Sequence, residues 1–333
     1  MAQATWKVIG ASGFVGSSIV ARLASDGIPL DAVEAPRLLT RTEDPEQLIN
    51  EAKSLDGIID SLADSFAGCD VVINASGLAA PDQFDLAPLL GANALLPAVI
   101  AIAAQRTGVR RILHLSSAAV LGPVPVLTDT RHTEPFSAYS YSKSLGEEVL
   151  LKIRDYLEET DLDQAVEICV IRATSVQGRG RRTTEAFAKI ASSPIASVAG
   201  RGDRPSPVSS NFALAQFVSQ VASFKGKLPP IVLQPWEGAT TSSVLKDAGR
   251  RFPLHLPTSL CRFMIDAGMT VSQALGGRFA GPIRRVEVMW FGQGIDDTWA
   301  RENGLIPEPR VSEVLRTAHT ALGLQRDKKF TES

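Results

Sequence analysis

Two kinds of apolar pattern alternate along the first half of the chain. The runs WKVIGA, PRLLTR, DVVINAS, RRILHLSS and EICVIRAT are short, apolar at most positions and rich in β-branched residues. A strand with one wet face alternates apolar and polar residues, whereas a strand of a parallel sheet is covered on both faces and reads as a continuous run. Between these runs, FVGSSIVARLAS and ALLPAVIAIAAQRTG carry apolar residues at helical spacing, the second closing on Gly108. The pattern predicts an α/β fold, a doubly wound parallel sheet of the nucleotide-binding kind. After Thr174 glycine, proline and arginine crowd QGRGRRTT and AGRGDRPSPVSSN, and strand and helix signals become mixed. Residues 1–174 are therefore expected to form a dinucleotide-binding domain. Residues 175–333 would form mainly a smaller, mixed substrate-binding lobe, with PPIVLQPWEG returning to the main sheet. Only the terminal QRDKKFTES looks frayed.

Composition narrows the functional classes. Basic and acidic residues nearly balance, 34 against 36, which gives no electrostatic reason to expect nucleic acid or an anionic membrane as partner. The longest apolar region, LLGANALLPAVIAIAA, contains Gly91, Asn93 and Pro97 and is short of the roughly 20 residues of a membrane span. It reads as a buried helix. The opening MAQATWKVIG has no basic segment followed by a long apolar one, so a cytoplasmic protein is expected. Cys69, Cys169 and Cys261 are far apart and there are four scattered histidines, so neither a disulfide framework nor a metal site is expected.

The candidate chemistry begins at GASGFVG. Gly10, Gly13 and Gly16 permit a tight turn, close approach of backbone to a pyrophosphate and close helix–strand contact. Ser12, Phe14 and Val15 would present their amides at the helix N-terminus, which favours anionic charge. The stretch FSAYSYSKSLGEE holds two of the three tyrosines of the chain. Residues four apart share a helix face and residues two apart do not, so Tyr139 rather than Tyr141 pairs with Lys143. An ammonium beside Tyr139 would lower its pKa from about 10 and let it exchange a proton with a carbonyl or alcohol oxygen. Upstream, ILHLSSAAVLG is an apolar strand ending in two hydroxyls, one of which would hydrogen-bond the reacting oxygen.

Together these motifs resemble the extended short-chain dehydrogenase/reductases, the group that contains sugar-nucleotide epimerases, dehydratases and ketoreductases. The resemblance covers about the first 180 residues and implies a Rossmann fold and a Ser-Tyr-Lys mechanism. Matching SSAAVLG to the family pattern makes Ser117 the catalytic hydroxyl and Ser116 its neighbour on the cofactor side; Leu121 replaces the usual tyrosine. The resemblance further places Ala75, Ser76 and Gly77 beneath the cofactor, and Asn93 on the helix leading to the site. It sets IRATSVQG, with Gln177, beside nicotinamide and substrate, and makes Arg204 a candidate for a nucleotide diphosphate. Ser210 and Asn211 stand where the family pairs aspartates. Ala118 and Ala119 stand where dehydratases carry acids.

Glu34 lies about 20 residues beyond the glycines, as an NAD ribose ligand should, whereas Arg41 at the end of PRLLTR would suit NADP. NADP(H) is slightly favoured and NAD(H) stays open. The expected activity is reduction of a nucleotide-linked keto-deoxysugar by an NAD(P)H-dependent 4-ketoreductase. The alternatives are a 4-epimerase with retained NAD and a non-catalytic cofactor sensor. By resemblance, a homodimer is expected.

Overall fold

Six strands form one parallel sheet, in the order Ile231–Leu233, Glu167–Ala173, β4 (Arg111–Ser117), β3 (Cys69–Asn74), β1 (Thr5–Ile9) and β2 (Leu30–Val33). Every neighbouring pair is parallel. The computed structural model describes residues 5–79, 85–160, 165–277 and 279–320. The stretch QRDKKFTES lies outside the described residues. Helices cover both faces, and the strands explain their apolar runs by serving two cores at once. In β3, Val72 packs with Ile59, Phe66 and Val99 on one face, while Val71 and Ile73 pack with Ile19, Leu23 and Phe217 on the other. β4 divides in the same way, Ile112 to the first core and Leu113 and Leu115 to the second.

One strand expected from the sequence is not formed. PRLLTR lies in a strandless segment, and the second strand is Leu30–Val33 instead. The apolar pair Leu38-Leu39 imitates a strand, but its neighbours are tied to helices. Thr40 N–H donates to Ala87 O at 3.3 Å, and the Thr40 and Thr42 hydroxyls donate to Glu51 at 2.8 and 2.7 Å. The Leu38 carbonyl lies where a Cβ on Gly91 would stand, 1.9 Å away. Arg41 is therefore in a loop, and Glu34 directly follows the second strand.

The long apolar region is helical but irregular. An α-helix Leu86–Leu90 passes through a π-helical turn, Gly91–Leu95, into the α-helix Leu96–Arg106. Pro97, at the start of the last segment, interrupts the i to i−4 ladder where the wide turn has already loosened it. Gly108 then reverses the chain at φ 68°. Among the described residues Leu86–Arg106 is the one helix long and apolar enough to cross a membrane, and 78% of its apolar window is buried in the fold.

Three two-stranded parallel sheets complete the fold, two of them wholly after Thr174 and the third pairing Val126–Leu127 with Gly294–Ile295. Helices Thr258–Ala274 and Ala280–Phe291 pack on each other around Cys261, Ile265 and Trp290. The Trp290 indole donates to Ser197 Oγ at 3.2 Å, and the Arg262 guanidinium sits 4.3 Å from the Phe291 ring centroid. These two aromatic residues hold the lobe together.

Candidate active site

The glycine loop joins β1 to helix α1 (Phe14–Ser25) at the carboxyl ends of the strands. Gly10 adopts φ 78°, and a Cβ there would stand 2.7 Å from the Ser76 backbone. A Cβ on Gly16 would stand 2.0 Å from Gly10 O. Residue 10 thus needs left-handed backbone and residue 16 needs close contact, so both positions require glycine. Gly13 caps α1 without a side-chain hydrogen bond, and its first turn holds no acidic residue. The amides there, including those of Phe14 and Val15, face no competing carboxylate; Ser12 is exposed on the same loop. This cradle fits a pyrophosphate.

The next wall of the crevice is the end of β3. Ala75 N–H donates to Ile9 O at 2.9 Å, and the Ser76 amide and hydroxyl both donate to Asn74 Oδ1. Gly77 adopts φ 147° beside two side chains that a Cβ would meet, Asn93 Oδ1 at 2.8 Å and Lys143 Nζ at 2.9 Å. Asn93 comes from the π-helical turn. Its Oδ1 accepts from Leu78 N–H at 3.0 Å, and its Nδ2 donates to Leu78 O at 3.0 Å and to Ser142 Oγ at 2.9 Å. The amide is wholly spent on holding the segment after β3 against the helix Ala138–Glu159.

That helix begins with a capping box between Ser137 and Ser140, which fixes the first turn and with it Tyr139. The Tyr139 phenol and the Ser117 hydroxyl are near enough for Ser117 to act on the phenol's titration. Burial raises the Tyr139 phenol above its ordinary range, against the Ser117 hydroxyl and the positive charge of Arg181, which both lower it. Ser117 closes β4, and its Oγ also accepts from Ala119 N–H at 3.2 Å, which orients the hydroxyl at the strand end.

Lys143 is buried, and its ammonium donates to Leu115 O at 2.9 Å. Burial pushes it down to about 8, partly opposed by the Glu147 carboxylate. Tyr141 faces away: its hydroxyl donates to Glu43 at 2.7 Å, and that carboxylate raises it to about 12.

Of the other expected contacts, Ser116 is differently engaged. Its hydroxyl donates to Glu147 Oε1 at 2.5 Å, in the interior behind β4, because consecutive strand residues point to opposite faces. Gln177 is buried on the strand Ser175–Gln177, with Nε2 donating to Ser175 and Oε1 without a partner among the described residues. Arg204 is exposed. Ser210 caps the helix Asn211–Ser223 and donates to Glu237 at 3.1 Å, while Asn211 donates to Ser18 at 2.8 Å. The two residues that replace the paired aspartates are thus structural joints.

A family model described as the NAD dependent epimerase/dehydratase family matches residues 6–208, well over half of the chain. The chain belongs to that family. It is similar to a 4-hydroxy-2-methyl-3-oxo-4-farnesyl-3,4-dihydroquinoline-1-oxide ketoreductase of Stigmatella aurantiaca, 29% identical over 155 residues. The matched stretch is 44% of this chain and 44% of the relative, so less than half of the relative's length is spanned. Among solved structures it is similar to UDP-glucuronic acid 4-epimerase from Bacillus cereus in complex with NAD, at 14% identity, TM-score 0.61 and 94% coverage of both chains. It is also similar to RMD from Pseudomonas aeruginosa complexed with NADPH, at 17% identity and TM-score 0.58, covering 95% of this chain and 98% of the other. These likenesses show the shared Rossmann-type fold.

Three features of this epimerase/dehydratase family member were not visible in the motifs. Arg172, fully buried, donates to both Glu147 oxygens and to Thr128 O and Thr130 O. His114, also buried, accepts from Asn74 Nδ2 at 3.0 Å and is kept neutral by burial and by the charge of Lys143. Arg181 lies 4.7 Å from the Phe14 ring centroid and donates to Val176 O, bringing a cation from the C-terminal half to the glycine loop and Tyr139. The strongest signal that sequence offered was a charge inside an apolar strand, as in EICVIRAT.

Proposed function

We propose that the protein is a nicotinamide-dependent oxidoreductase that reduces a ring ketone, with Ser117, Tyr139 and Lys143 as its catalytic group. The observation that carries this reading is the convergence of Ser117 at the end of β4 with Tyr139 and Lys143 on the helix Ala138–Glu159, the Lys143 ammonium lying against Gly77 beside the glycine loop. When bound, a nicotinamide dinucleotide supplies the hydride. Gly10, Gly13 and Gly16 would admit its pyrophosphate, Gly77 would leave room beneath it, and Lys143 would hold the nicotinamide ribose. Ser117 donates to the substrate carbonyl oxygen, stabilising the charge that builds on it. Tyr139 then delivers its phenolic proton to that oxygen, and the resulting phenolate is stabilised by Ser117 and Arg181.

For the substrate we favour a nucleotide-linked keto-deoxysugar reduced at C4, in keeping with the UDP sugars held by structural relatives such as MoeE5. Arg204 would meet the diphosphate. A second reading, an apolar cyclic ketone, is favoured by the curated relative, whose named substrate is a farnesylated oxo-dihydroquinoline. For the dinucleotide, Arg41 lies in a loop and not at a strand end, whereas Glu34, directly after the second strand, would meet the adenosine ribose of NAD.

The test is to release and identify any dinucleotide from freshly purified protein, then to assay reduction of both ketone classes with NADH and NADPH. Exchangeable cofactor with turnover of one ketone class supports the proposal. Stoichiometric NAD retained through purification, with interconversion of 4-epimers, would replace it with an epimerase. Failure to bind either dinucleotide would overturn the site assignment.

A further inference from the structure

The helix Thr258–Ala274 has more apolar surface than its neighbours cover. Cys261, Ile265 and Ser272 are buried toward Ala280–Phe291. At 100° per residue, Leu260, Met264 and Val271 fall within about 40° of one another on a different part of the helix, flanked by Phe263, Ala267 and Ala274. Among these, Phe263 is 69% exposed and Val271 is 57% exposed. Leu275 and Phe279, just beyond the helix, are exposed by half. Arg262 and Asp266 occupy the remaining side. This is an amphipathic helix with half of its apolar face unpartnered in the fold, and a contiguous exposed apolar patch on a folded chain marks an interaction site.

The charge around it says what kind of surface it meets. Residues 246–285 contain seven basic and two acidic side chains, within a chain whose formal net charge is −2. Arg250, Arg251 and Arg285 are exposed, and none of them takes part in an ion pair among the described residues. Phe252, which follows them, is 71% exposed with the Lys246 ammonium 4.4 Å from its ring centroid. A second copy docking through this face would bring two segments of like charge together, which opposes self-association. Apolar side chains at helical spacing, in a segment that also carries unpaired, exposed arginines, are instead the composition of a helix that lies in the interface of an anionic bilayer.

We propose that the helix Thr258–Ala274, together with the exposed Arg250, Arg251 and Arg285 of the same segment, docks this protein onto an anionic phospholipid surface. Phe263, Met264 and Val271 enter the boundary between headgroups and acyl chains. The arginines meet lipid phosphates, so that the protein is held at the surface without spanning it. The near balance of charge over the whole chain conceals this, because the basic residues are gathered in one segment.

The test is co-sedimentation of the full chain with vesicles of equal parts phosphatidylglycerol and phosphatidylcholine, and with pure phosphatidylcholine. Binding is expected to the mixed vesicles only and to weaken as salt is raised. A Phe263→Ser, Met264→Ser double variant should lose most of it. Neutralising Arg250, Arg251 and Arg285 to Gln should weaken it by about fivefold for each arginine. All five positions are exposed, and unchanged circular dichroism would show that the variants remain folded. Equal binding to both vesicle types, unaltered binding by the variants, or no binding would overturn the proposal. So would a wild-type dimer that the double variant converts to monomer without any vesicle binding, which would assign the face to a second copy.

Discussion

Gly77 and Lys143 are in contact across the crevice: a β-carbon on residue 77 would stand 2.9 Å from the lysine ammonium and 2.8 Å from Asn93 Oδ1. The end of β3 and the first turns of the helix Ala138–Glu159 are thereby held at a fixed separation. Alanine at 77 meets both a positive φ and two buried polar groups. Gly77→Ala is expected to cost about 1–3 kcal/mol in stability and to weaken dinucleotide binding, measured by urea unfolding and by fluorescence titration with NADH and NADPH.

The two tyrosines of FSAYSYSKSLGEE should separate cleanly. Tyr139→Phe removes the hydroxyl that faces Ser117 and should lower kcat by about 10²–10⁴-fold while dinucleotide binding persists. Tyr141→Phe loses only its bond to Glu43 and should leave kcat near that of the wild type, at a stability cost of about 0.5–1.5 kcal/mol. Steady-state kinetics on the two variants would decide, and equal loss in both would contradict the assignment.

Glu147 and Arg172 form an ion pair whose side chains are 2% and 0% exposed. Removing one partner leaves a buried charge, so Glu147→Ala is expected to destabilise by about 3–5 kcal/mol. It also frees the Ser116 hydroxyl and withdraws the carboxylate that supports the charge on Lys143. Chemical denaturation would measure the first effect, and a lysine pKa shifted further down, followed by NMR of the side chain, the second.

Lys143 titrates near 8 in the fold against an ordinary 10.5. Below about pH 8 the folded state carries the cost of a buried ammonium. Between the two values the folded state has released a proton that the unfolded state still binds, so this residue makes stability rise with pH. Unfolding free energies measured from about pH 7 to pH 10 should show that rise in the wild type and lose its Lys143 share in Lys143→Met. A stability difference between the two proteins that stays flat across the window would contradict it.

Much of the fold was legible because its signals are local. Continuous apolar runs such as DVVINAS, the glycine loop and the Tyr139–Lys143 spacing each express a nearby steric or periodic requirement. PRLLTR misled because Leu38 packs against the helical core while Leu39 stays exposed, and only the Thr40–Ala87 and Leu38–Gly91 contacts reveal that. Ser116 and Ser117 are adjacent in sequence, yet the pleat sends one to Glu147 and the other to Tyr139. The network of Arg172, Glu147 and the carbonyls of Thr128 and Thr130 joins three separate stretches of chain, so no spacing announces it. The surface helix Thr258–Ala274 falls in the half where strand and helix signals were mixed, and its uncovered face depends on which neighbours the lobe fails to supply.

The wide turn at Gly91–Leu95 makes the helix Leu86–Arg106 two cylinders out of phase. One additional residue in the turn rotates everything after it by about 100°, so the faces on either side are set independently. Trimming one residue between Leu90 and Leu96 would not merely shorten the rod. It would swing Asn93 away from Leu78 and Ser142, or else turn the apolar side of Leu96–Arg106 off the sheet. The crevice beside Gly77 therefore owes its width to a miscount in the helical repeat, and its chemistry is sensitive to length at a place where no reacting atom lies.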